Sequence, residues 1–204
     1  MRRRLSLIAA LSLCATLAHA GVSTDPKQAP AGAYQMEARH SQVLFAIPHF
    51  GITDYYGRFE KVSGTLLFNP AAPEKSSVSV TIDTASANVM SSELMGELIG
   101  PQVFDSEHFP TATFVSTAVT RSGPNSGKMT GDLTIHGITK PVTFDVTFNG
   151  GTPSPMGAAA YDLGFHATAA IRRSDFGLDK MVWSAVVGDE VKLTIEAMFQ
   201  QRKA

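Results

Sequence analysis

Cysteine is nearly absent from this chain: Cys14 is the only one among 204 residues. It lies in an N-terminal stretch that reads as a removable leader, so the remaining chain has no thiol to pair or to bind metal. A disulfide scaffold is therefore excluded, and stability has to come from an apolar core. Strong charge of either sign is also missing. The formal net charge is −1, and only 17% of residues are charged. Without a basic surplus the chain is not built for nucleic acid, nor for electrostatic adhesion to anionic lipid; any contact with lipid has to be apolar. Long apolar runs are lacking too. The longest, Leu5 to Leu17, is too short for a membrane span.

That run has the layout of an export signal. Arg2, Arg3 and Arg4 precede it, and Ala18-His19-Ala20 follows as a small-x-small cleavage pattern. Cleavage after Ala20 predicts a mature chain starting at Gly21 in the periplasm. A lipid-modified Cys14 is disfavoured by the bulky Leu13 before it. Loss of three arginines takes the net charge from −1 to −4. The expected organisation is a signal peptide over 1–20, a flexible Ala/Pro/Gly-rich lead-in over 21–33, and one folded domain over 34–204.

What the chain does have is alternation. From Lys128 to Asn149, Met129, Gly131, Leu133 and Ile135 alternate with Thr130, Asp132, Thr134 and His136. Val142, Phe144, Val146 and Phe148 then alternate with Thr143, Asp145, Thr147 and Asn149. A period of two on both sides of a turn predicts two strands, each with one dry and one wet face. Gly137 supplies the turn, and Pro141 falls at a strand start, where a missing N–H is tolerated. Strands are also expected over 41–47, 64–69, 78–83, 112–121, 164–172 and 191–199. Ser91 to Ile99 has Leu94, Leu98 and Ile99 at helical spacing behind a capping serine. Ser174 to Gly188 could hold a short helix or an ordered loop. About eight one-sided strands must stack as a sandwich or close into a barrel, and alternation alone does not choose between them.

No catalytic or metal pattern emerges. His40, His49, His108, His136 and His166 show no H-x-x-x-H or H-E-x-x-H spacing, and no G-x-S-x-G elbow occurs. Glu93 and Glu97 are like charges four apart on the predicted helix, which suits a wet face. No cofactor is implied.

Several motifs recur in a recognisable order: Arg39-His40-Ser41 with Phe45, Gly57-Arg58-Phe59, Val103-Phe104-Asp105, Phe109-Pro110 with Phe114, and Gly131 to Ile135 with Gly137 and Thr139-Lys140-Pro141. Arg173 to Gly177 and Val187 to Val191 complete the set. In this the chain resembles the YceI family over about Tyr34 to Gln200. It departs at Met95 to Leu98, where many relatives carry Asp-x-His-Leu, and over Asp179 to Ala185. The resemblance implies an all-β, antiparallel eight-stranded lipocalin-like barrel with one or two short helices. It also implies an apolar tunnel holding a long isoprenoid, as in a polyprenyl phosphate or isoprenoid quinone. Candidate tunnel residues are Phe45, Phe50, Phe59, Phe104, Phe114, Ile135, Phe144, Phe165, Ile171, Phe176, Met181, Trp183 and Ile195, which would equally suit a filled interior. Arg173 and Asp175 are candidates for a head group, because guanidinium pairs with phosphate or quinone oxygen; turn chemistry is the alternative. Expected partners are the lipid, a membrane or membrane redox protein in transient contact, and a second copy in a homodimer. A lipid-modifying enzyme and a filled-barrel interaction or stress module are the rival functions.

Overall fold

The computed structural model describes residues 21–155, 157, 159–180 and 182–201. The expected signal peptide and its cleavage site lie outside the described residues. Eleven strand segments occur: β1 Gly32–Met36, β2 Gln42–His49, β3 Thr53–Phe59, β4 Val62–Phe68, β5 Ser77–Asp83, β6 Ala87–Val89, β7 Thr111–Arg121, β8 Ser126–Ile135, β9 Ile138–Pro153, β10 Tyr161–Arg172 and β11 Glu190–Gln201. A single α-helix among the described residues, α1 Ser92–Ile99, lies between β6 and β7.

These segments make eight walls. β1 and β2 are two halves of one strand, as are β3 and β4, and β5 and β6. β1 pairs with β4 and β2 with β3, while β5 pairs with β4 and β6 with β3. β11 closes the ring by meeting β2 along Lys192↔Ala46 to Glu196↔Gln42, and β1 at Met36↔Phe199. Every neighbouring pair is antiparallel. The barrel is therefore an eight-stranded meander, and the sandwich alternative falls.

The three breaks are polar by necessity, because a strand that leaves its ladder exposes N–H and C=O groups. Ser41 Oγ donates to the Glu37 carbonyl at 2.8 Å and accepts from Met198 N at 3.0 Å. Ser86 Oγ donates to the Asp83 carbonyl at 2.6 Å and accepts from Lys61 N at 3.0 Å. Thr84 Oγ1 donates to the Phe109 carbonyl at 2.8 Å. Ser41, Thr84 and Ser86 are buried for this reason. The segments β3 and β6 fall outside the sequence-expected strands: β6 has only three residues, and in β3 Tyr55 next to Tyr56 and then Gly57 leave no alternation to read.

The hairpin of β8 and β9 forms as expected, with Ile135 opposite Ile138. His136 and Gly137 have φ values of 51° and 73°, the two-residue turn whose twist matches a hairpin. Pro141 lies three residues inside β9 rather than at its start. It is tolerated because β9 meets β10 only from Asp145 onward, so no ladder partner needs its N–H. Residues 21–31, expected as a loose lead-in, lie against the barrel: Ser23 and Gly151 exchange two hydrogen bonds of 2.9 Å, and Ala29 is buried.

One barrel end carries the 50–52 turn, α1, the 136–137 turn and the 173–189 segment; it is called the helix end below. The opposite end is plugged by Tyr34, Leu66, Phe68, Phe148, Leu163 and Phe199. Phe165 meets Phe68, Phe148 and Phe199 there, ring to ring, at 5.4–6.1 Å. The outer faces carry Thr130, Thr143, Lys128 and Asp145, paired across strands. Apolar inside and polar outside is the reverse of a barrel immersed in lipid.

Tyr34 ties the plug to the lead-in. It is 1% exposed and donates its hydroxyl to the Pro30 carbonyl at 2.8 Å. Burial, with a smaller contribution from Tyr161, pushes its pKa up from 10.0 to about 12. The unfolded chain ionises near 10 and the folded one near 12, so this group's stability is intact below pH 10 and is lost as pH rises toward 12. Denaturant titrations across that window should show a fall on the order of 2 kcal/mol. Tyr34→Phe should flatten it, at a cost of about 1 kcal/mol at neutral pH from the lost hydrogen bond.

Candidate functional site

The eight inward faces do not fill the barrel. A cavity of about 650 Å³ remains, within the usual range for small-molecule sites of about 300–1,000 Å³. Its wall is aliphatic and phenyl. Val43, Val62, Val78, Val80, Ile82, Val191 and Leu193 supply the aliphatic surface, and Phe45, Phe59, Phe104, Phe114, Phe144 and Phe165 the rings. Phe59 bridges Phe45 at 5.7 Å and Phe104 at 5.4 Å, and Phe114 meets Phe144 edge-to-face at 5.1 Å.

The rings stay out of the lumen because glycines lie beneath them. Phe45 stands opposite Gly57 in the β2–β3 register, and a Cβ on Gly57 would collide with that ring and with Val89. Gly131 plays the same part for Phe114: a Cβ there would lie 2.5 Å from the ring and 2.5 Å from the Val115 carbonyl. Glycine in a strand costs stability, and here it lets a ring lie flat against the wall.

Most polar wall residues lie at the helix end, while Ser41, Gln42 and Glu196 border the cavity lower down, at the β2–β11 seam. Ser91, Glu93, Leu94, Glu97 and Leu98 line the cavity from α1, and His49 and Tyr55 line it from β2 and β3. Ser91, Glu93 and Glu97 are also exposed, so the cavity opens to solvent beside α1. Ser91 caps the helix by accepting from Leu94 N at 3.3 Å. No group of three or more His, Cys, Asp or Glu among the described residues is arranged to hold a metal ion.

Nine of the apolar candidates from the sequence meet on this wall: Phe45, Phe59, Phe104, Phe114, Ile135, Phe144, Phe165, Ile171 and Ile195. Phe50 does not. It leads the 50–52 turn with φ 52° and its ring points to solvent, 61% exposed. Phe176 is buried at 1% exposure within the packed core rather than on the lumen, because it closes the 3-10 turn Arg173–Phe176. Trp183 belongs to the 3-10 turn Val182–Ala185. Met181 lies outside the described residues. Apart from Ile135, Ile171 and Ile195, the aliphatic wall was missing from the sequence-based set, as was the α1 contribution, although Leu94 and Leu98 share a helix face and the valines share the alternation of the phenylalanines.

Arg173 and Asp175 part company. Asp175 is exposed, and the carboxylate that organises this turn is Asp189, which accepts from Ser174 N at 2.9 Å and Ser174 Oγ at 2.8 Å. Burial pushes the Asp189 carboxyl up, but those hydrogen bonds and the charges of Arg173 and Arg172 leave it below its ordinary value. Arg173 is 7% exposed and touches the cavity, yet its five N–H groups are all engaged. Nε donates to the Gly188 carbonyl at 2.9 Å. Nη1 donates to the Leu178 carbonyl at 2.9 Å and Ser184 Oγ at 3.2 Å. Nη2 donates to the carbonyls of Ser184 at 3.2 Å and Val187 at 2.9 Å. The guanidinium thus gathers the 178–188 segment, which also bonds to β2 through Gly188 N to the Pro48 carbonyl at 2.7 Å. It has no donor left for a head group.

Two outcomes follow from this geometry. Arg173→Lys offers three donors in place of five and should cost about 3 kcal/mol in denaturant unfolding, with hydrogen-exchange protection lost first over 178–188. Gly57→Ala should fold but press the Phe45 ring into the lumen. Removing space for about two methylenes weakens binding of an apolar fluorescent probe by about tenfold.

The sequence relatives agree with this architecture. A UPF0312 protein of Pseudomonas putida (strain W619) is 38% identical over 172 residues, covering 83% of this chain and 85% of the relative. A UPF0312 protein of Pseudomonas syringae pv. tomato is 38% identical over 173 residues, covering 84% and 86%. Among solved structures, Burkholderia cenocepacia BcnA superimposes with a TM-score of 0.70 at 30% identity, over 80% of this chain and 98% of that one. The Campylobacter jejuni YCEI protein gives 0.67 at 28% identity, over 77% and 91%. A polyisoprenoid binding domain from Saccharophagus degradans gives 0.64 at 13% identity, over 84% and 99%, a likeness of fold alone. The YceI-like domain family model matches residues 34–199, from the plug residue Tyr34 to the plug residue Phe199, and with the 38%-identical relatives it makes this chain a member of that family.

Proposed function

We propose that this protein binds one long apolar lipid of the isoprenoid class inside the barrel and carries or stores it without turnover. The observation that carries this reading is the open apolar cavity of about 650 Å³, plugged at one end and open beside α1 at the other. A chain inside it is shielded on all sides by closed walls. About ten buried methylenes at 0.8 kcal/mol each correspond to a micromolar Kd before ordering costs. The isoprenoid class is supported by the family resemblance. The Saccharophagus degradans domain, described as polyisoprenoid binding, shares the fold and leaves the ligand of this chain to experiment.

The head group sits at the helix end, where the cavity opens and most of the polar wall residues are. An uncharged head such as a quinone suits this end better than a phosphate. Arg173 is the one described cation on the wall and its donors are taken, while Glu93 and Glu97 line the same opening. The N-terminal pattern supports export, so the compartment is the periplasm, and a membrane or membrane redox protein supplies and receives the cargo.

Organic extraction of the purified protein followed by mass spectrometry tests the reading. The expected result is a near-stoichiometric prenyl lipid with an uncharged head. Ala167→Trp, which projects into the lumen from β10, should reduce it at least tenfold. Recovery of no lipid from a protein that also refuses added quinone would sink the carrier reading in favour of a filled interaction module. A prenyl phosphate would overturn the head-group argument alone.

A further inference from the structure

The large apolar side chains left exposed are not scattered. Phe50 and Ile52 project from the β2–β3 turn, Met90 lies between β6 and the cap of α1, Ile99 ends α1, and Ile138 opens β9. All five belong to the helix end. Tyr56, on the outer face of β3, stands next to Met90, since Gly57 pairs with Val89. Met90 is 97% exposed, Ile52 82% and Phe50 61%. Only Val22, Leu67 and Val115 among the described large exposed apolar residues lie elsewhere.

Phe50 is anomalous twice over. A bulky residue at φ 52° is disfavoured by its own Cβ, and its ring gains nothing from water. Asparagine or glycine would serve the turn better. The turn is also held firmly: Phe50 N donates to the Val186 carbonyl at 2.7 Å, and Ile52 N to the His49 carbonyl at 3.2 Å. The His49 ring, on the cavity wall, meets the Phe50 ring edge-to-face at 4.6 Å. Wall and projecting tip are thus consecutive residues.

We propose that the helix end is a membrane-docking surface, on which Phe50, Ile52 and Met90 insert into the interfacial region of a lipid bilayer and bring the cavity opening against it. This rests on the reading of the cavity as a lipid site. The charges select the kind of surface. Glu93, Glu97, Glu107, Asp175, Asp179 and Glu190 outnumber Lys140, Arg172 and Lys180 at this end, and Lys192 is tied to Asp54 at 2.9 Å. Such a rim offers no polybasic attraction, so docking is apolar: it is insensitive to salt on uncharged lipid and is opposed, not favoured, by anionic lipid. The same acidic groups oppose a second copy, because two-fold pairing would face each α1 carboxylate toward its own kind.

Flotation of the purified protein with phosphatidylcholine vesicles, at low and high salt, tests this. The wild type should float equally at both salt levels. The double variant Phe50→Asn with Ile52→Asn should lose at least tenfold of the vesicle-bound fraction, with its Tm unchanged or raised because asparagine accepts the left-handed backbone. Leu67→Thr with Val115→Thr, away from the helix end, should float like the wild type. Lipid extracted from the turn variant should match the wild type in amount, while its transfer rate to acceptor vesicles falls. Failure of the wild type to float, equal flotation of the turn variant, or a dimer in sedimentation that the variant abolishes would each overturn the docking surface and leave the lipid site standing. Flotation of a protein from which no lipid can be extracted would overturn the carrier reading and retain the surface.

Discussion

Closure through β11 is the constraint on which everything else depends. This strand pairs with β10 along its whole length and with β2 and β1 in succession on its other side. A meander of eight walls has no free edge once that seam is made, and its inward faces must then share one enclosed space. Whether that space fills depends on side-chain direction. Rings seated on Gly57 and Gly131 lie along the walls, and the aromatic plug consumes only one end. The cavity is thus the consequence of closing a barrel whose largest side chains are folded back against it.

Closure also explains where the polar residues went. Three walls break, and each break would leave backbone groups unpaired inside a water-poor sheet. Ser41, Thr84 and Ser86 supply the missing partners, which accounts for their burial, and Ser41 also borders the cavity. Arg173 solves the same problem at the helix end, where the 178–188 segment has carbonyls and no ladder. A cation fully engaged by carbonyls can border a binding site and still be scaffolding. The chemistry of guanidinium alone does not distinguish these roles; the number of donors left over does.

Much of this was legible in the sequence because parity survives folding. Counting in twos along β2 from Phe45 gives Ile47 and His49 on the wall, and along β9 Phe144 and Val146. The apolar wall residues from β8, β10 and β11 obey the same rule, and Glu196 of β11 borders the cavity out of that phase. Phe50 broke it visibly, falling out of phase with Phe45, and a turn next to Gly51 was the reason. Phe176 was not accessible in this way, since a 3-10 turn has no alternation to count. β6 was hidden because three residues are too few for a period to show, and β3 because Tyr55 next to Tyr56 and Gly57 on the inward face break the alternation. The contribution of α1 to the opening was hidden for a different cause: a helix face reads as apolar or wet, and the sequence does not say which space it covers.

The helix end joins two requirements that usually conflict. A cavity for an insoluble chain must be sealed from water, yet its occupant must come and go. Here the seal is divided. The plug end is packed by rings and bound to the lead-in, where the Tyr34 hydroxyl is bonded to the Pro30 carbonyl. The other end is covered by a helix of eight residues that buries none of them. Such an element is held by few contacts and so belongs to the low-stability part of the structure, where opening is cheapest. The most exposed large apolar residues, Phe50, Ile52 and Met90, stand around that same helix. Stability is thus concentrated at the closed end of the cavity, and apolar exposure at the open one.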